Sequence, residues 1–241
     1  MAKQEMDQLT ARQAEVLARI IEIYAELTTP VGSKMLCQDF ECSSATIRSE
    51  MAQLEKLGYI KQPHTSSGRY PTDKGYRYYV NTLKNQSNQL MSRGYMGIER
   101  AINSLSDNRE AMIRRAVSML ENISGNTAFI YDRKNIYFSG LRRLFAQPEL
   151  RDHARSMDAA RFLDSLAEWL SRSELEKKTT VFIGMENPVI GTSGLTMIVT
   201  GFGRNQPAAN YLGIVGPTRQ SYRKVIMTVG FISNLLEEVL E

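Results

Sequence analysis

The 241-residue chain contains only two cysteines, one tryptophan and seven prolines. It has no apolar run of the roughly 18 residues that a membrane-spanning helix needs, which excludes an integral membrane protein. Two cysteines cannot form a disulfide framework, so we expect a reducing, cytoplasmic location. The first eight residues are polar and of mixed charge, without the apolar stretch of a signal peptide. The net charge is only +4, so any surface that binds nucleic acid must be local.

The composition is that of a folded protein, with 42% hydrophobic and 23% charged residues. At roughly 100–200 residues per domain, the length suits one large domain or two modest ones. A polar stretch at residues 85–89 is typical of a linker. We therefore expect a first domain over residues 1–84, a linker with helices over 85–124, and a second domain over 125–241.

Basic residues are concentrated in one strip of the sequence. Residues 61–84 carry five basic side chains and one acidic one, whereas residues 1–60 carry six basic and nine acidic ones. Tyrosines are interleaved with these cations, and this pattern suits phosphate contacts with aromatic support. Taken alone, an ordinary solvated surface would explain the strip as well.

The segment before this strip has the layout of a helix-turn-helix unit. Thr10 begins a capping box that starts a first amphipathic helix. A short second helix is predicted over residues 34–39, with Ser33 as its cap. A third helix is predicted from about residue 45 to 57, with Gly58 at the position of a left-handed C-terminal cap.

The third helix begins with small and hydrogen-bonding residues, as expected of a helix that enters the major groove. Short side chains allow a close approach to the bases, hydroxyl groups bind phosphate or base, and arginine binds guanine through two hydrogen bonds. Serine caps on an ordinary amphipathic helix would explain Ser43 or Ser44, but not two turns that, apart from Ile47 and a single arginine, lack long side chains. The predicted DNA-binding residues of this helix are Ser43, Ser44, Thr46, Arg48 and Ser49.

A β-hairpin is predicted directly after this helix. Its extended pieces, residues 59–64 and 69–72, flank a tip rich in serine and glycine, and Thr72 caps a further helix over 73–83. A hairpin at this position is the wing of a winged-helix domain, and Arg69 beside the tip can reach phosphate or a minor groove. The predicted DNA-binding residues of the wing and the following helix are Lys61, His64, Thr65, Ser66, Ser67, Arg69, Lys74 and Arg77.

The rest of the chain is predicted to be α+β, and an antiparallel sheet with helices against one side is the economical arrangement. The two helices before the sheet can pack on their own chain or on a second subunit. The second of them has Asp107 and Glu110 at capping-box spacing. The predicted helices are 95–105, 108–123, 148–171 and 222–240, and the predicted strands are 127–131, 136–139, 180–184, 195–200 and 211–215.

Four segments closely resemble the N-terminal domain of the HrcA-type heat-inducible transcription repressors. They are LTARQ (9–13), PVGSK (30–34), SSATIRSEMAQLEKLGYI (43–60) and QPHTSSGRYPTDKGYRYYV (62–80). Shorter segments between residues 138 and 219 resemble the GAF-like C-terminal domain of the same repressors. The resemblance implies an α+β protein with a winged helix-turn-helix, a helical linker and a GAF-like antiparallel-sheet domain. It also implies a dimer that binds an inverted-repeat operator in double-stranded DNA upstream of chaperone genes, and whose activity depends on chaperonin.

The chain departs from this family at one place. Members usually carry a long segment, including an inserted dimerising domain, between the equivalents of Tyr131 and Ile136. Here four residues join these two positions. The resemblance therefore implies a compact repressor whose dimer geometry cannot be carried over intact.

Other chemistry finds little support in the sequence. Cys37, Cys42 and His64 lack the fourth ligand and the spacing of a zinc site, so no metal is expected. The glycine-rich pieces at 191–194 and 201–203 lack the lysine pattern of a phosphate-binding loop. His153 stands in a charged helix without an obvious serine or cysteine partner, so we expect neither an enzyme nor a cofactor. Two alternatives to a repressor remain: a winged-helix regulator whose GAF-like domain senses a small ligand, and a winged helix used for protein contact.

Overall fold

The computed structural model describes residues 9–64, 67–84, 97, 100, 102, 108–132, 134–189, 194–203 and 209–240. The chain divides into two compact units, with the boundary in the sequence after Ser87. The predicted helix over 95–105 lies almost wholly outside the described residues. None of the described helices is both long enough and apolar enough to cross a membrane.

The described residues of the N-terminal unit form four helices and a two-stranded hairpin. These are α1 (Ala11–Leu27), α2 (Ser33–Leu36), α3 (Ser44–Lys56), β1 (Ile60–Lys61), β2 (Tyr70–Pro71) and α4 (Asp73–Lys84). The order of helix, helix, helix, hairpin and helix is the one that the sequence predicts. The capping box of Thr10 is confirmed, because its hydroxyl accepts from the Gln13 backbone N–H and the Gln13 side chain accepts from that of Thr10.

The hairpin is held against the segment that precedes α2. Arg69 exchanges two backbone hydrogen bonds with Val31, at 2.8 and 2.9 Å, which adds a third extended piece beside β2. Gly68 lies so close to Pro30 that a Cβ atom there would overlap the Pro30 backbone. The base of the wing is therefore fixed by the backbone of the helix-turn-helix unit itself.

The second helix differs from its prediction. It begins at Ser33 and ends at Leu36, and the N-cap position is held by Gly32, which has no side chain to form a cap. The Ser33 hydroxyl instead lies 2.9 Å from the Ser44 hydroxyl at the start of α3. The prediction that Ser33 caps this helix is therefore wrong, because tertiary contact with α3 engages that hydroxyl.

The C-terminal unit contains a five-stranded antiparallel sheet in the order β4-β3-β7-β6-β5. This confirms the predicted α+β class. A 3-10 turn at Pro148–Leu150 precedes its longest internal helix. The elements are α5 (Arg109–Ser124), β3 (Thr127–Asp132), β4 (Asn135–Ser139), α6 (Leu141–Phe145), α7 (His153–Ser171), β5 (Thr180–Ile183), β6 (Leu195–Phe202), β7 (Asn210–Pro217) and α8 (Tyr222–Leu240).

Helices cover both faces of this sheet, so the expectation of helices against one side is wrong. On one face, Phe129 of β3 packs in a cluster with Phe162 of α7. On the other face, the Thr196 hydroxyl of β6 lies 3.1 Å from the Tyr222 hydroxyl of α8. Every residue of β3 and β6 is buried, as is typical of strands that are covered twice.

Two helix starts differ from their predictions. Asn108, rather than Asp107, caps α5, and its side-chain oxygen accepts from the Ala111 backbone N–H at 2.9 Å. The helix predicted from residue 148 begins only at His153, where Asp152 provides the cap. Helix α6 was not predicted, because five residues are too few for a periodic apolar pattern to show.

A tight hairpin stands where the sequence departs from the family. Strand β4 begins three residues after β3 ends, and Asp132 pairs with Asn135 across the turn. Lys134 has a φ of 75°, the left-handed conformation that two-residue hairpin loops need. The two strands are thus joined as directly as antiparallel neighbours can be.

Candidate nucleic-acid interface

The first two turns of α3 present short side chains outward. Ala45, Thr46, Arg48 and Ser49 are exposed, whereas Ile47 is buried in the core of the unit. Because Ile47 packs one side of the helix into the core, the opposite side is left exposed to solvent. This is the arrangement that lets a helix lie in a major groove.

Hydrogen bonds among hydroxyl groups organise the start of α3. The Ser43 hydroxyl caps the helix by accepting from the Thr46 backbone N–H at 3.2 Å, and it lies 3.0 Å from the Thr46 hydroxyl. Ser44 is bound to Ser33, and Arg48 donates to the Ser44 hydroxyl at 3.3 Å. Ser43 and Ser44 therefore hold the start of the helix in place. The exposed ones among the predicted DNA-binding residues of this start are Ser43, Thr46, Arg48 and Ser49.

The exposed face extends further than the sequence prediction. Ala52, Gln53 and Lys56 are exposed on the same helix, one to two turns beyond Ser49. Extending the helical spacing of Ala45 and Ser49 by another turn would have found them, since residues three and four apart share a face. Gln53 is the base-reading residue type that the prediction missed, because glutamine can bind adenine through two hydrogen bonds.

Arg69 is placed at the base of the wing and not at its tip. Its Nε donates to Glu55 Oε2 of α3 at 2.8 Å, and only 18% of its side chain is exposed. The Arg69 backbone is bonded to Val31 as described above. The arginine therefore links the wing to the C-terminal half of α3, a role that the sequence did not indicate.

The wing tip is a turn closed by Ser67. Its hydroxyl accepts from the His64 backbone N–H at 3.0 Å and donates to the His64 carbonyl at 2.6 Å. The His64 side chain is exposed, as is Lys61, whose Nζ lies 5.0 Å from the centre of the Tyr70 ring. Thr65 and Ser66 lie outside the described residues.

The remaining predicted contacts lie elsewhere in the unit. Lys74 Nζ donates to the Leu57 carbonyl at 2.9 Å and lies 4.5 Å from the centre of the Tyr59 ring. It therefore sits at the C-terminal end of α3, about 20 Å from the first turn at 1.5 Å per residue. Arg77 is half-buried on α4. The structure does not bring Lys74 to the N-terminal turns of α3.

The two cysteines are partly buried near the turn between α2 and α3. The Cys37 thiol donates to the Ser33 carbonyl at 3.2 Å, and both cysteines are free thiols. Among the described residues, no group of three or more potential ligands could hold a metal ion.

Two family descriptions match the chain and between them cover most of it. "Winged helix-turn-helix transcription repressor, HrcA DNA-binding" matches residues 8–88. "HrcA protein C terminal domain" matches residues 79–226. The chain belongs to the HrcA family. The winged helix described above is therefore the DNA-binding domain of an HrcA-type transcription repressor, a class without enzymatic activity.

Relatives of the HrcA family match strongly over part of the chain and weakly over the whole chain. The heat-inducible transcription repressor HrcA of Chlorobium chlorochromatii is 48% identical over 101 residues, which are 39% of this chain and 29% of that relative. The HrcA of Acetivibrio thermocellus is 24% identical over 339 aligned positions that cover 97% of each chain. Since this chain has only 241 residues, the Acetivibrio relative contains sequence that this HrcA chain lacks.

A solved structure shares the fold. A crystal structure of a hypothetical protein aligns with a TM-score of 0.74 over 96% of this HrcA chain and 98% of that chain. The two sequences are only 20% identical. The similarity therefore concerns the fold alone.

Proposed function

We propose that this chain is a heat-inducible repressor of chaperone genes that acts in the cytoplasm. It binds an inverted-repeat operator in double-stranded DNA as a homodimer, and its activity depends on chaperonin. The observation that supports this proposal most directly is the exposed start of α3, where short side chains and Arg48 face solvent. Membership of a family of transcription repressors supports the same function.

Base reading is assigned to Arg48 within this proposal. Its guanidinium forms no ion pair among the described residues, and its bond to Ser44 is long at 3.3 Å. The bidentate geometry that guanine requires therefore costs little to reach. We expect Arg48→Ala to weaken operator binding by about 1–3 kcal/mol and to leave binding to random duplex nearly unchanged.

Fluorescence anisotropy with operator and random duplexes measures this difference. Arg172→Ala is the matched control, because Arg172 is an exposed arginine on the other unit, with 77% of its side chain accessible. Equal losses on operator and random DNA for Arg48→Ala would contradict the assignment. Footprinting upstream of the chain's own gene and of the chaperonin genes supplies the operator for this test.

Phosphate binding is assigned to the wing and the basic strip. Lys61 and His64 are exposed there, and Arg69 donates to Glu55 through its Nε, with 18% of its side chain exposed. We expect Arg69→Ala to weaken binding to every duplex and to lower the salt slope by about one. Glu55→Gln is the matched variant, since it removes the ion pair and keeps the guanidinium. If both variants weaken DNA binding equally and leave the salt slope unchanged, Arg69 holds the wing in place and does not bind phosphate.

Dimerisation follows from the size of the DNA-reading surface. One winged helix spans too few base pairs to define an operator, and a two-fold operator matches a two-fold protein. The described helix α5 and the sheet domain offer the surface for such a dimer. Light scattering should show a dimer at the concentrations that saturate the operator, and a monomer bound once per inverted repeat would contradict it.

Chaperonin dependence is proposed as the response to heat. A domain close to its folding threshold can lose DNA binding on mild heating, and 12 methionines make its cores adaptable. We expect operator binding to fall on heating and to recover faster when chaperonin and ATP are added. Full occupancy at heat-shock temperatures with no effect of chaperonin would contradict this. Stabilisation by a metabolite in a thermal-shift assay would then favour the ligand-sensing alternative.

A further inference from the structure

Strand β4 is an edge of the sheet that carries none of the usual protection. Within the described part of the chain, its single neighbour is β3. Its sequence, Asn-Ile-Tyr-Phe-Ser, contains no charged residue and no proline, which are the residues that commonly block the pairing of exposed edges. The strand ends are polar and the middle is apolar.

The opposite edge of the sheet is closed by its own chain. The backbone N–H of Ile183, at the end of β5, donates to the carboxylate of Glu186 at 2.9 Å. A 3-10 turn at Gly184–Glu186 follows the strand immediately, and Lys177 and Glu237 form an ion pair before the strand begins. The difference between the two edges indicates that β4 is the one left open for a partner.

The hairpin geometry fixes which β4 groups point outward. In a two-residue hairpin the residues that close the loop, here Asp132 and Asn135, form a hydrogen-bonded pair. From there, hydrogen-bonded and non-hydrogen-bonded pairs alternate along the two strands. Asn135, Tyr137 and Ser139 therefore direct their backbone groups toward β3. The backbone N–H and C=O groups of Ile136 and Phe138 point to the open edge. Within the described residues no other group bonds to them.

We propose that β4 pairs antiparallel with β4 of a second copy of this chain. Pairing centred on Tyr137 places Ile136 opposite Phe138 of the other copy, so that all outward backbone groups find partners. The same register places Asn135 opposite Ser139, so polar residues face polar ones and apolar residues face apolar ones. Antiparallel pairing of identical strands generates a two-fold axis. The proposal thereby rests on the homodimer proposed above and names its surface.

The charges beside this edge are compatible with self-association. The Arg114 guanidinium of α5 lies 5.2 Å from the centre of the Tyr137 ring. Its charge is balanced by Glu110, one helical turn earlier, at 2.8 Å. Like charges directly across a strand pair are unfavourable, and β4 presents none. The two paired strands would therefore be uncharged, and the nearby charge of Arg114 is balanced by Glu110.

A disulfide trap tests this register. In a background of Cys37→Ala and Cys42→Ala, we expect Tyr137→Cys to form a covalent dimer on oxidation. Residue 137 faces its own symmetry mate as a non-hydrogen-bonded pair, with Cα atoms about 4.5 Å apart, which a disulfide can span. Asn135→Cys is the matched control and should stay uncrosslinked, because it faces residue 139 of the other copy.

A pair of charge variants tests the surface without a cysteine. Asn135→Lys with Ser139→Lys places like charges opposite each other, and we expect at least a tenfold rise in the dimer dissociation constant. Asn135→Glu with Ser139→Lys places opposite charges there and should keep the dimer. Ser139 lies beside Glu121, and the substitution at this position is the same in both variants, so its effect within one copy cancels.

The outcomes separate this surface from the dimer itself. A wild-type dimer that neither crosslinks through position 137 nor responds to charge would overturn the β4 surface and leave the proposed homodimer standing. A wild-type monomer would overturn both.

Discussion

Two arginines, one in each unit of the chain, are used in opposite ways. In the winged helix, Arg48 is exposed and its described bond is a 3.3 Å contact with the neutral Ser44 hydroxyl. In the sheet domain, Arg109 donates to both carboxylate oxygens of Asp132, at 2.6 and 3.0 Å, and also to the Leu240 carbonyl. The hydrogen bonds and charge of Asp132 raise the pKa of Arg109 despite partial burial.

This difference shows which arginine can serve a partner. A guanidinium with one weak internal bond can move to DNA at little cost, whereas a bidentate pair with a buried carboxylate is part of the fold. Arg109 joins the start of α5, the end of β3 and the end of α8. Arg48 is thus available for binding, whereas Arg109 is structural.

The largest expected effect is that of breaking the Arg109–Asp132 pair. Asp132 is only 7% exposed, so Arg109→Ala leaves a buried carboxylate without its partner. We expect a loss of about 3 kcal/mol in the free energy of unfolding of the sheet domain. Urea unfolding followed by Trp169 fluorescence measures it, because the single tryptophan packs edge-on to Phe182 of β5 and so reports on this unit.

Arg172→Ala is the control for that experiment. Arg172 pairs with Glu168 on the surface of α7 at 2.7 Å, with both side chains mostly exposed. Surface pairs at this helical spacing contribute only about 0.3–0.5 kcal/mol. Equal losses for the two variants would show that the Arg109 pair is no more structural than a surface pair.

The second effect concerns the core of the winged helix. A Cβ atom at Gly75 would overlap the carbonyl oxygen of Tyr59, because α4 packs directly on the chain entering β1. We expect Gly75→Ala to destabilise the N-terminal unit by about 1–3 kcal/mol through overpacking. Far-UV circular dichroism should show an earlier transition, with DNA binding lost alongside it. A parallel shift in Trp169 fluorescence would contradict separate unfolding of the two units.

The order of elements in the winged helix could be predicted because its signals are local. Thr10, Ser43 and Thr72 cap their helices within three residues, and the hairpin follows from its turn composition. The Arg69–Glu55 pair could not be predicted, because it joins residues 14 apart through packing. In the sheet domain the sequence also predicts all five strands of the described sheet. The sequence also indicates that they are covered on both faces, since residues 195–199 are almost uninterruptedly apolar.

The third effect separates two roles of Ser43. Its hydroxyl caps α3, so Ser43→Ala should cost about 1 kcal/mol of stability and weaken operator binding. Ser43→Asp keeps a capping oxygen and adds a negative charge beside the proposed phosphate path. We expect the aspartate variant to retain the stability of the N-terminal unit and to lose affinity for every duplex. Unchanged affinity in the aspartate variant would place Ser43 away from the DNA.

The smallest expected effect has the opposite sign and occurs in the other unit. Gly230 lies in the interior of α8, and a Cβ atom there would meet nothing within 4 Å. Glycine in a helix is less favourable than alanine because its backbone loses more conformational entropy on folding. We therefore expect Gly230→Ala to stabilise the sheet domain by about 0.5–1 kcal/mol, seen as a higher urea midpoint in Trp169 fluorescence. The same glycine-to-alanine change thus destabilises one unit at Gly75 and stabilises the other at Gly230, and a loss of stability at Gly230 would mean that this face of α8 is occupied.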